Sequence, residues 1–265
     1  MTSFKLLLEY DGSRYSGWQE QKNARTVMGE LRKAAASVLH ATSADVEMQG
    51  AGRTDAGVHA LRQVAHVKVD RQVRETPEEL LRRFNDLLPA DIVVLKVERA
   101  ARNFHARRDA VSRSYIYQIS TRKQAFTKKT VWWVKEGLNV RAMSDAAALL
   151  IGRHDFICFR AADANRPEES TVVVVESAMI EAEEDIIQFR IEASHFLWRM
   201  VRRIVGCLVR IGTGELKEND FRRLIEGHPN AKLDVAAWTA PASGLFLEGV
   251  KYGSPPQQEE GWTRH

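Results

Sequence analysis

Two patterns of apolar residues occur along the chain: short apolar or alternating stretches, which are typical of strands, and apolar residues three and four positions apart, which are typical of helices. Their order predicts the order of strands and helices. In the first hundred residues, short apolar stretches typical of strands occupy residues 4–10, 64–69 and 92–97. Apolar side chains three and four positions apart predict an amphipathic helix over residues 26–40. A second helix precedes the third strand, so this part of the chain is predicted to run β-α-β-α-β.

The start and the end of that second helix are marked by individual residues. Thr76 fits the N-cap, Pro77 fits the first helical position, and Glu79 fits the position whose side chain completes a capping box. Pro89 cannot continue a helix because proline lacks a backbone N–H group and its ring clashes with the preceding turn. The helix is therefore predicted to end just before it.

The second part of the chain contains strands and helices in a less regular order. Its predicted strands cover residues 111–119, 130–134, 171–181, 185–192 and 244–251. Its predicted helices cover residues 140–151, 196–211 and 218–226. Asn139 fits the N-cap of the first of these helices, and Gly152 fits its C-terminal cap. A polar loop is predicted at residues 162–170, and a polar tail follows Gly253.

The order of elements predicts an α+β protein with two lobes, residues 1–105 and 106–265. Each lobe is expected to be a mostly antiparallel sheet backed by helices, because the apolar face of a sheet or helix must be buried against another element. The boundary is set by the change of pattern near residues 100–108. At 265 residues, the chain is long enough to bury a sizeable core.

The composition narrows the class of protein. Lysine and arginine total 39 against 35 acidic residues, a formal charge of +4, which favours an anionic partner. Cys158 and Cys207 are far apart, which argues against a disulfide scaffold and against a thiolate zinc site. The N-terminus is predicted to form a strand and not a signal peptide, and no apolar stretch reaches membrane-spanning length. The expected location is the cytoplasm.

Residues 52–60, of sequence Gly-Arg-Thr-Asp-Ala-Gly-Val-His-Ala, have the composition of a functional loop. Gly52 and Gly57 allow the backbone to bend and to approach a ligand closely. Arg53 and Asp55 place opposite charges on a loop, where binding and catalytic groups are concentrated. The residues alone leave two interpretations of Asp55 open: a catalytic carboxylate, and a turn residue that bonds to its own backbone.

The arginines of the predicted helix at residues 196–211 occupy different faces. With a turn of about 100° per residue, Arg199, Arg203 and Arg210 fall on one polar stripe. Arg202 lies about 60° away from Arg199, at the edge of the apolar face. That position suits an arginine paired with an acid, and equally one whose methylene groups only cover the edge of the core.

Strand alternation places Arg113, Tyr115 and Tyr117 on one face of the strand at residues 111–119. An aromatic side chain there could stack on an unpaired nucleic-acid base and relay a proton through its phenol, or could belong to the core. The residues alone favour the core for a strand tyrosine, and we assign Tyr117 to it; both interpretations of Tyr115 stay open.

Metal and nucleotide sites are not indicated by the remaining candidates. Gly212-Thr213-Gly214 lacks the third glycine and the Lys-Ser/Thr pair of nucleotide-binding loops. The histidines that lack metal-ligand spacing, and are interpreted as structural, are His59, His105, His154 and His195. The sequence therefore predicts no metal, no ATP and no dinucleotide cofactor.

Several segments, in order along the whole chain, resemble the blocks of the TruA-type tRNA pseudouridine synthases. These segments begin at Tyr10 (YDGSRYSGWQ), Asn23 (NARTV), Gly52 (GRTDAGVHA), Asn103 (NFHAR), Arg113 (RSYIY), Gly152 (GRHDF), Phe196 (FLWRMVR) and Ala240 (APASGL). Two departures concern the expected RNA contacts. The stretch at 170–175 stands where the family often has Arg-Thr, and Leu61-Arg62-Gln63 stands where the family usually includes a glycine.

The resemblance implies a pseudouridine synthase fold in which two lobes face each other across a basic cleft, with Asp55 at its floor. Asp55 matches the catalytic acid, Arg202 the arginine paired with it, and Tyr115 the functional tyrosine of the central block. Arg53 suits a phosphate contact, or the gap left by a flipped base. The implied reaction is isomerisation of uridine to pseudouridine at positions 38–40 of the tRNA anticodon arm, by a homodimer without metal or cofactor.

Two other functions remain open at this point. An RNA-acting nucleosidase could use Asp55 to release free uracil, and a tRNA-binding chaperone could bind the same RNA without any turnover.

Overall fold

The computed structural model describes residues 1–162 and 170–253. Its strands are β1 (Thr2–Tyr10), β2 (Val46–Gly50), β3 (His59–Val69), β4 (Ile92–Arg99), β5 (Ala110–Ser120), β6 (Trp132–Trp133), β7 (Gly152–Asp155), β8 (Val172–Glu183), β9 (Ile186–Ala193) and β10 (Leu245–Tyr252). Its helices are α1 (Val27–Val38), α2 (Pro77–Leu87), α3 (Val140–Ala148), α4 (Met200–Gly212) and α5 (Glu218–Ile225). The loop predicted at 162–170 and the tail after Gly253 lie largely outside the described residues. No helix within those two ranges is long and apolar enough to cross a bilayer.

The strands form one mixed sheet in the order β4-β1-β3-β10-β5-β9-β8-β7, with β2 also paired to β3 and β6 to β5. The expectation of two separate sheets was therefore wrong, while the α+β class is confirmed. β10 is the reason. It pairs in parallel with the start of β3, where Phe246 faces His59, and antiparallel with β5, where Leu247 faces Tyr115. The closing strand thus joins the strands of the two halves of the chain.

The main core lies between the helices and one face of this sheet. α1 packs beside β2, α2 beside β4, and α3 beside β8 and α4. Alternate residues of β1, namely Phe4, Leu6 and Leu8, are almost fully buried in this core. Leu7, between them, packs near Val64 in a smaller cluster on the opposite face. The two faces of β1 thus follow the two-residue period of a strand.

Two of the three predicted helix caps are confirmed. The hydroxyl of Thr76 accepts a hydrogen bond from the N–H of Glu79 at 3.2 Å, and the Glu79 carboxylate accepts one from the N–H of Thr76 at 2.8 Å. Asn139 caps α3 through its side chain. The C-cap at Gly152 was wrong, because α3 ends at Ala148 and Gly152, with φ of +113°, begins β7.

Helix α4 begins four residues later than periodicity predicts, at Met200. Arg199 adopts the left-handed conformation, with φ of +61°, which costs a non-glycine residue about 1–2 kcal/mol. A residue in this conformation cannot be part of a right-handed helix, so α4 starts after it. The predicted stripe of solvated arginines is corrected as a result. Arg199 precedes the helix, and Arg203 is partly buried and donates a hydrogen bond to the backbone oxygen of Arg160.

At Gly206, helix α4 lies against the backbone of Trp238, and this close approach gives a prediction for the stability of the fold. A Cβ added at Gly206 would lie 1.8 Å from the backbone oxygen of Trp238. Gly206→Ala is therefore expected to lower the free energy of unfolding by about 2–4 kcal/mol in urea denaturation. Gly137→Ala is the control, since nothing lies within 4 Å of its added Cβ. Equal stability of both variants would contradict this packing.

Candidate active site

The loop that carries Asp55 is held by contacts to the residue just before it, Thr54. The N–H of Trp18 donates to the backbone oxygen of Thr54 at 3.0 Å, and the hydroxyl of Thr54 is hydrogen-bonded to the phenol of Tyr10 at 2.8 Å. Burial raises the pKa of Tyr10 to about 12, so this phenol is protonated at neutral pH. Gly17, with φ of +95°, lies so close that an added Cβ would be 2.6 Å from the Thr54 oxygen. The backbone leading to Asp55 is thus fixed on a rigid support.

The carboxylate of Asp55 contacts α4 and the segment just before this helix. Its Oδ2 lies 3.4 Å from Nη1 of Arg202, and its Oδ1 accepts a hydrogen bond from Nε1 of Trp198 at 3.1 Å. The turn itself is closed by the backbone oxygen of Asp55, which accepts from the N–H of Val58 at 3.1 Å. The carboxylate is therefore left for contacts with other elements, and it remains 27% exposed.

Arg202 lies between Asp55 and the segment that leads into β10. Its Nε donates to the backbone oxygen of Ala240 at 2.7 Å while Nη1 contacts the carboxylate. The side chain is only 16% exposed. A guanidinium held at both ends in this way provides a fixed positive charge beside Asp55. The structure brings the two residues together, and their parts in a reaction stay predictions.

Tyr115 is buried in β5 beside the same loop. Its ring packs edge-on against Phe196, with 4.9 Å between ring centroids, and 7% of the residue is exposed. A Cβ added at Gly52 would lie 3.8 Å from the phenol oxygen, which places this oxygen next to the loop. Burial, followed by the neighbouring Tyr10 and Asp55, raises the pKa of Tyr115. The phenol is therefore a neutral hydrogen-bond donor at neutral pH.

The other two residues predicted on this face of β5 make structural contacts. Tyr117 is fully buried and donates to the backbone oxygen of Pro241 at 2.8 Å, which confirms it as a core residue. Arg113 is buried, and one of its Nη groups donates to the backbone oxygen of Ala51 at 3.0 Å. It thereby braces the start of the Asp55 loop, a role that sequence reasoning did not assign.

Arg53 and Trp198 complete the surroundings of Asp55. Arg53 is exposed on the loop itself. Sequence reasoning missed Trp198 as a partner of Asp55. The sequence offered one indication of a role for Trp198, namely that it lies in the family-like segment beginning at Phe196. Neither periodicity nor spacing predicts that its indole N–H contacts Asp55.

His59, four residues after Asp55, shows how a buried histidine is satisfied here. The N–H of Gly12 donates to Nδ1 at 3.1 Å, and Nε2 lies 3.0 Å from the backbone oxygen of Lys129. Nδ1 also lies 3.1 Å from the carboxylate oxygen Oδ1 of Asp11. We assign the proton to Nε2, because the Gly12 N–H points to Nδ1 and because burial lowers the pKa of His59, which favours the neutral ring. Across the described ranges, no group of three or more His, Cys, Asp or Glu residues could hold a metal ion.

Comparison with known proteins adds a family to this geometry. A family profile described as tRNA pseudouridine synthase matches residues 7–109 and 146–253. The tRNA pseudouridine synthase A of Thermoanaerobacter sp. (strain X514) is 39% identical over 254 residues, which cover 95% of this chain and 100% of the relative. The protein of the same name from Beijerinckia indica is 39% identical over 263 residues, which cover 98% and 96%. The chain belongs to the tRNA pseudouridine synthase family.

Proposed function

We propose that this chain, an isomerase that converts uridine to pseudouridine in tRNA, acts at positions 38–40 of the anticodon arm with Asp55 as its catalytic carboxylate. The observation that carries the proposal is the contact of Asp55 Oδ2 with Arg202 at 3.4 Å in a partly exposed position. The guanidinium gives the carboxylate a positive partner while part of it stays open to a substrate, and a carboxylate is a group that can attack or deprotonate a sugar.

The reaction requires little beyond these residues. The bond from C1′ to N1 of uracil breaks, the base turns, and C1′ forms a bond to C5. The proton on C5 is then removed, and N1 takes up a proton. Substrate and product are isomers, so no oxidant and no added group is needed. In our proposal Asp55 acts on the sugar and the phenol of Tyr115 relays the C5 proton: its oxygen accepts the proton from C5 as its own O–H proton passes on towards N1, directly or through water.

The RNA would be held by the surroundings of this site. We propose that Arg53 contacts the backbone or fills the gap left by the flipped uridine, because it is exposed on the same loop. We further propose that residues 1–105 and 106–265 act as two lobes along a basic cleft, and that a homodimer in the cytoplasm binds tRNA across both of its subunits. The formal charge of +4 supports an anionic substrate.

The release of tritium tests the reaction. tRNA labelled with tritium at C5 of its uridines loses this label to water when C5 bonds to C1′. A nucleosidase would release labelled uracil instead, and a chaperone would leave all label in the RNA. We expect tritium in water without uracil in solution; either of the other results would refute the proposed reaction.

Arg202→Met is expected to lower the rate of pseudouridine formation by about tenfold to a hundredfold. The substitution removes the positive partner of Asp55. Because the two side chains are only partly exposed, water can replace only part of the lost interaction. Arg210→Met is the matched control: Arg210 lies on the same helix and pairs with an acid, Glu215, away from Asp55. Single-turnover rates of both variants give the comparison. Equal losses would mean that α4 serves as an RNA-binding surface and does not act on Asp55.

A further inference from the structure

Trp198 makes a contact with Asp55 that the proposed reaction does not yet use. Its Nε1 donates to Oδ1 of Asp55 at 3.1 Å, on the oxygen that Arg202 does not contact. The two donors come from different places, Arg202 from α4 and Trp198 from the segment before it. Each oxygen of the carboxylate therefore has its own N–H partner.

Two partners constrain a carboxylate more than one does. With a single donor, the carboxylate can rotate about its Cβ–Cγ bond and keep that hydrogen bond through either oxygen. With a donor on each oxygen, the plane of the carboxylate is fixed. A carboxylate has about four lone-pair sites, so two remain for a substrate when two are occupied. A fixed plane thus directs the free lone pairs in one direction.

The local backbone is built to hold the indole in this place. Arg199 has the left-handed conformation, φ +61°, so the chain turns sharply between Trp198 and α4. The N–H of Ala161 donates to the backbone oxygen of Trp198 at 2.9 Å, and the guanidinium of Arg199 lies 5.0 Å from the centre of the indole ring. Trp198 is 45% exposed as a residue, so burial in the core does not explain the position of its side chain. Strained backbone of this kind is concentrated at functional sites.

We infer that Trp198 is a positioning residue for the reaction, which holds the carboxylate of Asp55 in the orientation that acts on the sugar. The inference rests on the proposed role of Asp55. The indole acts through its N–H group, so its effect falls on the rate of the chemical step and not on the affinity for tRNA.

The kinetic test separates the N–H group from the ring. Trp198→Phe keeps an aromatic ring and loses the donor, so we expect the single-turnover rate to fall about tenfold, the lower end for a hydrogen bond to a charged group, with unchanged tRNA affinity. Trp198→His should restore most of the rate, because Nε2 of imidazole occupies the same position along the side chain as Nε1 of indole. Trp133→Phe is the matched control, since Trp133 is 42% exposed.

A spectroscopic measurement tests the contact without activity. In protein labelled with nitrogen-15 tryptophan, the indole N–H signal of Trp198 is identified by its loss in Trp198→Phe. Asp55→Ala should shift this signal and leave the signal of Trp133 in place. An unshifted signal, or a Trp198→Phe variant with wild-type rate, would overturn the inference. Weaker tRNA binding by Trp198→Phe with an unchanged chemical step would also overturn it, since the ring would then be an RNA contact.

The activities of Asp55→Asn and Trp198→Phe, measured side by side, distinguish an error in the role of Trp198 from an error in the role of Asp55. If Asp55→Asn keeps its activity, the catalytic role of Asp55 is wrong. If Asp55→Asn is inactive while Trp198→Phe is fully active, only the positioning role of Trp198 is wrong.

Discussion

Asp55→Asn is expected to lower the single-turnover rate of pseudouridine formation by more than about 10³-fold, the scale seen when a reacting side chain is removed. Asparagine has nearly the same size as aspartate, and its amide cannot act as the nucleophile or base. The backbone turn at Asp55 is made by its carbonyl oxygen, so the loop should keep its shape. Affinity for tRNA should change by less than about threefold, because many phosphate contacts share the binding energy.

The control for this variant is Asp70→Asn. Asp70 follows β3, its side chain is 96% exposed, and it contacts the N-terminal ammonium at 3.3 Å, so Asp70→Asn removes the same charge from an ion pair at the surface. We expect wild-type rate for Asp70→Asn. A rate for Asp55→Asn within tenfold of wild type would remove Asp55 from the chemistry.

Tyr115→Phe is expected to lower the rate by about 10²–10⁴-fold, the range for general acid–base catalysis, with tRNA affinity unchanged. The substitution removes the phenol oxygen beside the loop and keeps the ring that packs on Phe196. Because burial and the charge of Asp55 raise the pKa of Tyr115, the phenol carries its proton throughout the neutral range. A C–C-bonded intermediate that still carries the C5 proton should accumulate, and rapid quench with mass spectrometry can detect it.

Tyr117→Phe is the matched control for the tyrosine variant. Tyr117 lies two residues along the same strand and donates to the backbone oxygen of Pro241, so the substitution removes one part-buried hydrogen bond. We expect lower stability, by about 0.5–1.5 kcal/mol, with a normal rate. If Tyr115→Phe has the wild-type rate and only Tyr115→Ala is impaired, the ring stacks on uracil and the hydroxyl takes no part in proton transfer.

Local patterns predicted most elements of the fold, because their causes are local. The capping box of Thr76 and Glu79 follows from two side chains three residues apart, and the alternate burial in β1 follows from the period of a strand. The single sheet depends on β10 pairing with β3, from the opposite end of the chain. β2 and β7 are short and their pattern is weak, so their place in the sheet comes from the strands beside them.

In the candidate site, too, some contacts could be predicted from the sequence and others could not. Arg202 was placed at an edge of a helix by periodicity, and the family resemblance paired it with Asp55; the structure brings the two within 3.4 Å. The contact of Trp198 was not predictable, because it joins side chains 143 residues apart in the sequence. The bracing of the loop by Arg113 likewise depends on backbone oxygens that only the folded chain brings together.

The most direct test of the central claim is a map of pseudouridine at single-nucleotide resolution. Unmodified tRNA with uridines at positions 38, 39 and 40 is incubated with the purified wild-type protein and, in parallel, with Asp55→Asn, without any added cofactor. We predict pseudouridine at these positions with the wild type and none with the variant. Pseudouridine formed equally by both proteins, or found only outside positions 38–40, would contradict the account.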